Sequence, residues 1–343
     1  MDDNDIHIRA VATALPGPAV DNATLTERFG MSAAFEQWID AFVGTRRRHF
    51  AVDLETDEVR FTLADLAADA GARALAAARV GPSDVDLMVM ATSSPDALMP
   101  ATVNVVADRL GIDGIPTYQL QSGCAGAVQA LDVAGQLLRS GRYTTALVLG
   151  GDTCAKHLDL TVDGATLAPA EQINGVLFGD GAGAAVLSTR PAPGAAVLRH
   201  AFVQLVGLRR PPGQVVTWSG RARRPSDGPP VVEDYKAIEE SVPVLAVEAL
   251  HRILDELDWK DSEVDYLLPP QLSGRMTERI TARLDLPHAR EISCVADIGN
   301  TGNALPFFQL ELALPRMVTG DRAVGVAVES SKWIKAAFAV EQG

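Results

Sequence analysis

Apolar positions along the chain fall into two alternating kinds of run. Residues 7–15 read as a first strand, 22–30 as a capped helix, and 35–42 as a short amphipathic segment carrying Trp38. Residues 61–80 are Ala-rich with helical periodicity and end at Gly81-Pro82, a stop signal. Residues 87–91 form an unbroken apolar run, as expected of a strand buried on both faces, and 101–110 turn helical again. Ala127, Leu131, Ala134 and Leu138 keep helical spacing up to Gly141, and 146–149 make another buried strand. Residues 179–187 are a Gly-rich turn running into a strand. No Gly-Lys-Ser/Thr follows, and a strand stands where a helix should, so this is not a phosphate loop. Val244, Val247, Leu250, Leu254 and Leu257 mark a long helix, and a strand over 264–268 ends at Pro269-Pro270. Strand–helix alternation throughout predicts an α/β fold.

The alternation repeats itself. Ser83-Asp84-Val85-Asp86-Leu87 resembles Ser262-Glu263-Val264-Asp265-Tyr266, an offset of 179. The same offset pairs Leu131 with Leu310, Gly141 with Gly320, the strand at 146–149 with 325–328, and Cys124 with Asn303, without a gap over about seventy residues. The pattern predicts two copies of one βαβ-type unit about a pseudo-twofold axis, with two equivalent helices starting near the centre. One follows Cys124 and the other follows the Gly299-Asn300-Thr301-Gly302-Asn303 turn.

Chemistry concentrates at the first of these helix starts. In Gln121-Ser122-Gly123-Cys124-Ala125-Gly126 a cysteine sits between two glycines, before a helix, where backbone N–H groups and the helix dipole favour the thiolate. Composition narrows the rest. The formal charge of −14 argues against nucleic-acid binding, and no run of about 18 apolar residues suggests a membrane span. The acidic start lacks signal-peptide order. Three cysteines (Cys124, Cys154, Cys294) make neither a disulfide framework nor a zinc pattern, so a reduced, cytoplasmic setting is expected. Residues 207–230 are rich in Pro, Gly and Arg, including Arg209, Arg210, Arg221, Arg223 and Arg224, a loop long enough to be mobile or functional. Arg46-Arg47-Arg48-His49 reads as a solvated basic loop, and His157, in a loop after residues 151–156 that could approach a tunnel at Cys124, reads first as a surface or core histidine.

Several of these segments together resemble the thiolase fold, and within it the β-ketoacyl-acyl-carrier-protein synthase III group. They are Trp38 with Gly44 and residues 46–49, Gly123-Cys124-Ala125-Gly126, Leu149-Gly150-Gly151-Asp152, residues 178–187, and Gly299-Asn300-Thr301. The resemblance implies a duplicated αβαβα layered fold, with halves at 1–192 and 193–343. It implies a homodimer in which Met99 closes the acyl pocket across the interface. It also makes Cys124 the nucleophile that takes an acyl group as a thioester, and Asn300 a side-chain oxyanion donor.

The chain departs from the family at the place that matters most. Where the resemblance puts a histidine for malonyl decarboxylation, the sequence reads Pro270-Gln271-Leu272-Ser273. Proline offers neither donor nor base, and losing one oxyanion donor typically costs about 100- to 1000-fold. Where the family has a Gly-rich oxyanion loop, the chain has Glu329-Ser330-Ser331, which adds a candidate general base and a substrate-facing serine. Phe42 and Asp163 replace arginines that face the coenzyme A nucleotide, whereas Arg275 survives beside the lost histidine. An acyl carrier protein is therefore expected as donor ahead of coenzyme A, with no cofactor beyond the substrate thioester and with Trp38 and Arg275 as substrate-binding residues. The expected activity is acyl transfer from Cys124 to a thiol, hydroxyl or amine of a small-molecule acceptor in polyketide-like metabolism, without carbon–carbon bond formation. Two alternatives stand beside it: a decarboxylative synthase with a rearranged site, and a non-catalytic partner subunit.

Overall fold

The computed structural model describes residues 5–157, 163–167, 169–217 and 231–343. In chain order the first part runs β1 (His7–Ala14), β2 (Val20–Asp21), α1 (Asn22–Arg28), α2 (Ala33–Trp38) with a π-helical turn over Ile39–Val43, then β3 (Arg47–Arg48). It continues through α3 (Leu63–Ala78), β4 (Leu87–Thr92), α4 (Thr102–Leu110), β5 (Thr117–Gln121), α5 (Gly126–Arg139), β6 (Thr145–Asp152), α6 (Pro169–Leu177) and β7 (Gly181–Ser188). The second part runs β8 (Ala196–Leu205), a ribbon of β9 (Gln214–Val216) and β10 (Val231–Glu233), α7 (Tyr235–Leu257), β11 (Tyr266–Leu268), α8 (Gly274–Leu284) and β12 (Arg290–Glu291). It closes with α9 (Val295–Ile298), α10 (Leu305–Ala313), β13 (Arg322–Glu329) and β14 (Ile334–Gln342).

Ten strands join in the order β12-β11-β13-β14-β8-β1-β7-β6-β4-β5. Outward from the β1–β8 contact, β1-β7-β6-β4-β5 is matched strand for strand by β8-β14-β13-β11-β12, with the same parallel and antiparallel pairings. In the sheet the two halves join through the strand pairs His7↔Val197 and Ile8↔Ala196. Side-chain alternation then builds the layers. Leu87, Val89, Ala146 and Val148 face a central core with Leu131 of α5 and Phe307 and Leu310 of α10. Met88, Met90, Leu147 and Leu149 face α3 and α4 on the outside. Leu267, Val324 and Val326 do the same against α7 and α8 in the other half. Each fully buried Leu, Val or Ile contributes about 1.5–3 kcal/mol, so strands buried on both faces carry most of the driving force. The fold is the duplicated α/β layering that the resemblance implies.

Local signals explain the element ends. Thr62 accepts from Asp65 N (3.1 Å) while the Asp65 carboxylate accepts from Thr62 N (2.7 Å), a reciprocal cap that starts α3. That helix stops at Ala78, with Arg79 left-handed, ahead of the expected Gly81-Pro82. The long helix α7 starts at Tyr235 behind an Asp234 cap and carries Pro243 inside it, at the cost of one backbone bond. The basic run is not simply solvated. Arg48 is fully buried and donates to Asn22 Oδ1 (2.6 Å), Thr45 O (3.2 Å) and Val176 O (2.6 Å), so its guanidinium ties three segments together.

The ungapped repeat needs correction. Helices α5 and α10 do start 179 residues apart, at Gly126 and Leu305. Strands β4 and β11 keep that offset, but β6 and β13 do not. Asp86 N donates to Thr145 O (3.0 Å), and its counterpart Asp265 N donates to Arg322 O (2.8 Å). Likewise β4 aligns Leu87 with Ala146, while β11 aligns Tyr266 with Ala323. Thr145–Asp152 therefore matches Arg322–Glu329, two residues closer than the sequence offset. A slip of two leaves every side chain on its original face, so hydrophobic alternation cannot reveal it.

Candidate active site

Cys124 lies in the turn between β5 and α5, where Gly126 N closes onto Gly123 O (2.8 Å). Part of its surface stays open to cavities on either side. Protein still surrounds the sulfur densely, and burial pushes the thiol up to about 12, with the Glu329, Asp152 and Glu233 carboxylates adding to the shift. The thiolate expected of a helix start is thus not favoured at rest. The helix begins two residues later, and negative charge gathers nearby.

The two strand-end carboxylates flank this turn. Glu329 is buried, and its carboxyl carbon would lie 3.1 Å from a Cβ on Gly123. It accepts from Ser122 Oγ (2.8 Å) and from the Ser331 hydroxyl, and no Lys or Arg pairs with it among the described residues. Asp152 is saturated. Its Oδ1 accepts from Thr92 Oγ1 (3.0 Å), from Ser93 N (2.7 Å) and Oγ (2.9 Å), and from Ser94 N (3.1 Å) and Oγ (2.9 Å). Its Oδ2 accepts from Asn303 N (2.9 Å) and Nδ2 (2.8 Å). Asn303, the repeat mate of Cys124, also donates to Ser122 O (3.0 Å), which stitches the two halves together beneath the nucleophile turn. A Cβ on Gly126 would come within 2.3 Å of Asn303 Oδ1, so only glycine fits there.

Asn300 is buried, with Oδ1 held by Gly302 N (3.0 Å), and it lines a small cavity of about 40 Å³ with Cys124. Pro269, Pro270, Leu272, Leu305 and Ser330 line that cavity too, so it is mostly apolar. Gln271 lines it as well, with its amide oxygen engaged in accepting from Ser293 Oγ (3.0 Å) and Val295 N (2.8 Å). On the other side of Cys124 a larger, more polar cavity of about 300 Å³ is lined by Ser94, Gln121, Cys154, His157 and Glu329, with Gln214, Val216 and Val231 of the β9–β10 ribbon. The structure thus brings Cys124, Asn300, Glu329 and Ser330 together.

The other three expected site residues lie apart from both cavities. Trp38 stacks on Phe35 (centroids 5.6 Å). Arg275 spends its guanidinium on Ala41 O (3.0 Å) and Glu278 (3.1 Å), pinning the π-helical turn to α8. Met99 is 87% exposed. Of the arginine-rich loop, Arg221, Arg223 and Arg224 lie outside the described residues. The cavity-lining residues missed at the sequence level are Cys154, His157, Ser122, Ser331 and Asp152. Ser122, Asp152 and Ser331 lie inside motif stretches quoted for other residues and Cys154 and His157 in none, and their common signal is proximity to strand ends, which in α/β sheets point toward ligand sites.

A family model described as 3-oxoacyl-[acyl-carrier-protein (ACP)] synthase III matches residues 118–204, and its C-terminal counterpart matches 254–331. The β-ketoacyl-[acyl-carrier-protein] synthase III of Neisseria gonorrhoeae is 32% identical over 308 residues, covering 87% of this chain and 86% of that protein. The chain belongs to the β-ketoacyl-acyl-carrier-protein synthase III family. Among solved structures, the tetronic acid condensing enzyme AbyA1 superposes with a TM-score of 0.95 at 58% identity, over 98% of this chain and 99% of that one. The synthase III FabH from Pseudomonas aeruginosa PAO1 gives 0.82 at 28% identity, over 98% of each. Within the synthase III fold, then, Pro270 forms an apolar wall, and the polar groups around Cys124 gather on the opposite side. No group of His, Cys, Asp and Glu suited to a metal occurs among the described residues. No described helix is long and apolar enough to cross a membrane.

Proposed function

We propose that Cys124 takes an acyl group from an acyl carrier protein as a thioester and passes it on without decarboxylating a malonyl unit. The observation that carries this reading is the exchange of groups around the nucleophile: Pro270 on one side, and the Glu329 carboxylate against Gly123 on the other. Thioester exchange needs a sulfur nucleophile and an oxyanion donor, roles for Cys124 and for the Asn300 amide, whose Nδ2 has no protein acceptor among the described residues.

The likeness to a tetronic acid condensing enzyme supports a carbon acceptor, against the leading expectation of transfer without a carbon–carbon bond and without the decarboxylation of the first alternative. A tetronic acid is a five-membered enol lactone. Two acyl thioesters build it when the α-carbon of a β-ketoacyl thioester attacks a 2-hydroxyacyl group on the cysteine, and the 2-hydroxyl then displaces the second carrier thiol. Both carriers leave as thiols, the two acyl groups end in one ring, and no carbon dioxide is released. The β-ketoacyl α-proton is already acidic, so a carboxylate base such as Glu329 can take it where a malonyl unit would have required the missing histidine.

Intact-mass measurement after incubation with acyl-carrier donors tests the first step. An acyl adduct is expected on the wild type and none on Cys124→Ala; an adduct that survives that substitution sinks the reading. Product analysis tests the second. A ring product with both carriers freed and no carbon dioxide is expected, whereas carbon dioxide released from a malonyl thioester in step with product would establish decarboxylative synthesis instead.

A further inference from the structure

We propose that Trp333 is a positioning residue for Glu329, fixing the hairpin loop that holds this carboxylate beside the Cys124 turn. This rests on the reading of Glu329 as the base of the transfer step, given above.

The loop is short. Glu329 and Ile334 form the closing pair of the β13–β14 hairpin, so Ser330, Ser331, Lys332 and Trp333 make the whole connection. Its first half belongs to the site. Ser330 lines the small cavity, and Ser331 lines the larger one and donates its hydroxyl to Glu329. Its last residue carries strain. Trp333 has a φ of 63°, in the left-handed region that a bulky side chain rarely adopts. The other described non-glycine residues with positive φ are Asp57, Arg79, Arg209 and Asp285, all exposed, and the half-buried Asp258. Trp333 alone among them is buried, with 2% of its surface exposed. Such a conformation persists only where the surroundings over-determine it.

The 206–213 segment supplies those surroundings. Trp333 Nε1 donates to Pro211 O (2.7 Å), and the Arg210 guanidinium lies 4.1 Å from the centre of the indole ring. Arg210 is itself tied to Ser241 Oγ of α7 (2.7 Å). Backbone bonds complete the clamp: Val206 N donates to Trp333 O (2.8 Å), and Gly213 N donates to Ser330 O (2.9 Å). Cβ atoms on Gly207 and Gly213 would lie 1.9 Å from Lys332 O and 2.8 Å from the indole, so the segment rests directly on the loop. Arg210, one of the arginines in the Pro- and Gly-rich stretch, thus serves the hairpin from outside the cavities.

The link to chemistry is geometric. Glu329 has no Lys or Arg partner among the described residues, and it is held by two serine hydroxyls, one of them on the clamped loop. A loosened loop lets that hydroxyl and the carboxylate drift, and a reacting group displaced by about 1 Å can lose up to about 100-fold in rate.

The test loads Cys124 with the N-acetylcysteamine thioester of lactate, adds that of acetoacetate, and follows gain and loss of the adduct by intact mass. Trp333→Phe keeps a ring beneath Arg210 but removes the N–H to Pro211. It should load within about threefold of wild type and release the adduct to the acceptor about tenfold more slowly. In Glu329→Gln, where no base is left to position, the same substitution should slow release by less than about twofold. A merely structural tryptophan would slow neither step in folded enzyme, or both alike. Release within about threefold of wild type overturns the proposal, and so does loading slowed as much as release, or an equal loss of release in both backgrounds. If Trp333→Phe does not fold, Arg210→Gln, which strips the cation from the ring face, is held to the same three outcomes. A wild type that never loads, or a Glu329→Gln enzyme that releases as fast as wild type, overturns the Cys124 or the Glu329 reading itself. That result is distinct from a slow Glu329→Gln with an indifferent Trp333, which overturns the positioning role alone.

Discussion

Asp152 and Glu329 occupy the same place in two copies of one framework. Each is the last residue of an eight-residue strand beside the central helix start of its half. They have come to differ in what surrounds them. Asp152 is enclosed by seven donor contacts from Thr92, Ser93, Ser94 and Asn303, with no lone pair to spare for a substrate. Glu329 accepts only from two serine hydroxyls among the described residues, although both acids border the larger cavity. A buried carboxylate that is saturated holds structure, and one that is partly satisfied can do chemistry.

Removing the saturated member should have the largest effect. Asp152→Ala orphans donors from two segments, residues 92–94 and Asn303, and is expected to cost about 3–5 kcal/mol in chemical denaturation. A loss below about 1 kcal/mol would mean the enclosed carboxylate is not structural. Glu329→Gln should do the reverse. Ser122 and Ser331 donate to different oxygens of Glu329, so Gln keeps one of these bonds and turns its NH2 to the other serine, whose hydroxyl can rotate to accept, and stability should change by less than about 1 kcal/mol. Transfer from the loaded enzyme should slow about 100-fold, and the Cys124 adduct should accumulate in intact-mass time courses.

Cys124 reports on both charges. With a thiol near 12, its alkylation by iodoacetamide should rise about tenfold per pH unit between pH 7 and 10 in the wild type. Deleting a nearby negative charge lowers the thiol's pKa, so Glu329→Gln should alkylate about three- to tenfold faster at pH 8. Asp152→Asn should gain less, because Glu329 is the stronger influence on the sulfur. Equal gains would dissolve the distinction between the two acids. The smallest effect belongs to Ser331→Ala, which removes one hydroxyl from Glu329 and should cost about 1 kcal/mol by thermal denaturation.

Much of this arrangement could be read from the chain, and the limits have physical causes. Apolar runs such as 87–91 announced doubly buried strands, but not which face meets which layer, since Leu87 and Met88 are equally apolar. Cys124, Asn300, Glu329 and Ser330 were legible because local motifs carry them, and they do converge. The pairing of Asp152 with Glu329 was hidden by a two-residue slip that preserves strand alternation. Arg48 looked solvated because its acceptors are an Asn22 side chain and backbone oxygens, Val176 O lying 128 residues away, which no local pattern announces. His157 carried no signal beyond its place after a strand end.

The Asn303 stitch has a mechanical consequence. Because its amide spans Ser122 O and Asp152 across the seam between the halves, the floor under the cysteine cannot open without breaking buried hydrogen bonds in both. The β9–β10 ribbon that supplies Val216 and Val231 is a two-stranded wall that, among the described residues, pairs with no other strand. Any breathing that admits a tethered substrate therefore falls to the wall, while the sulfur stays fixed in space and the substrate is brought to it.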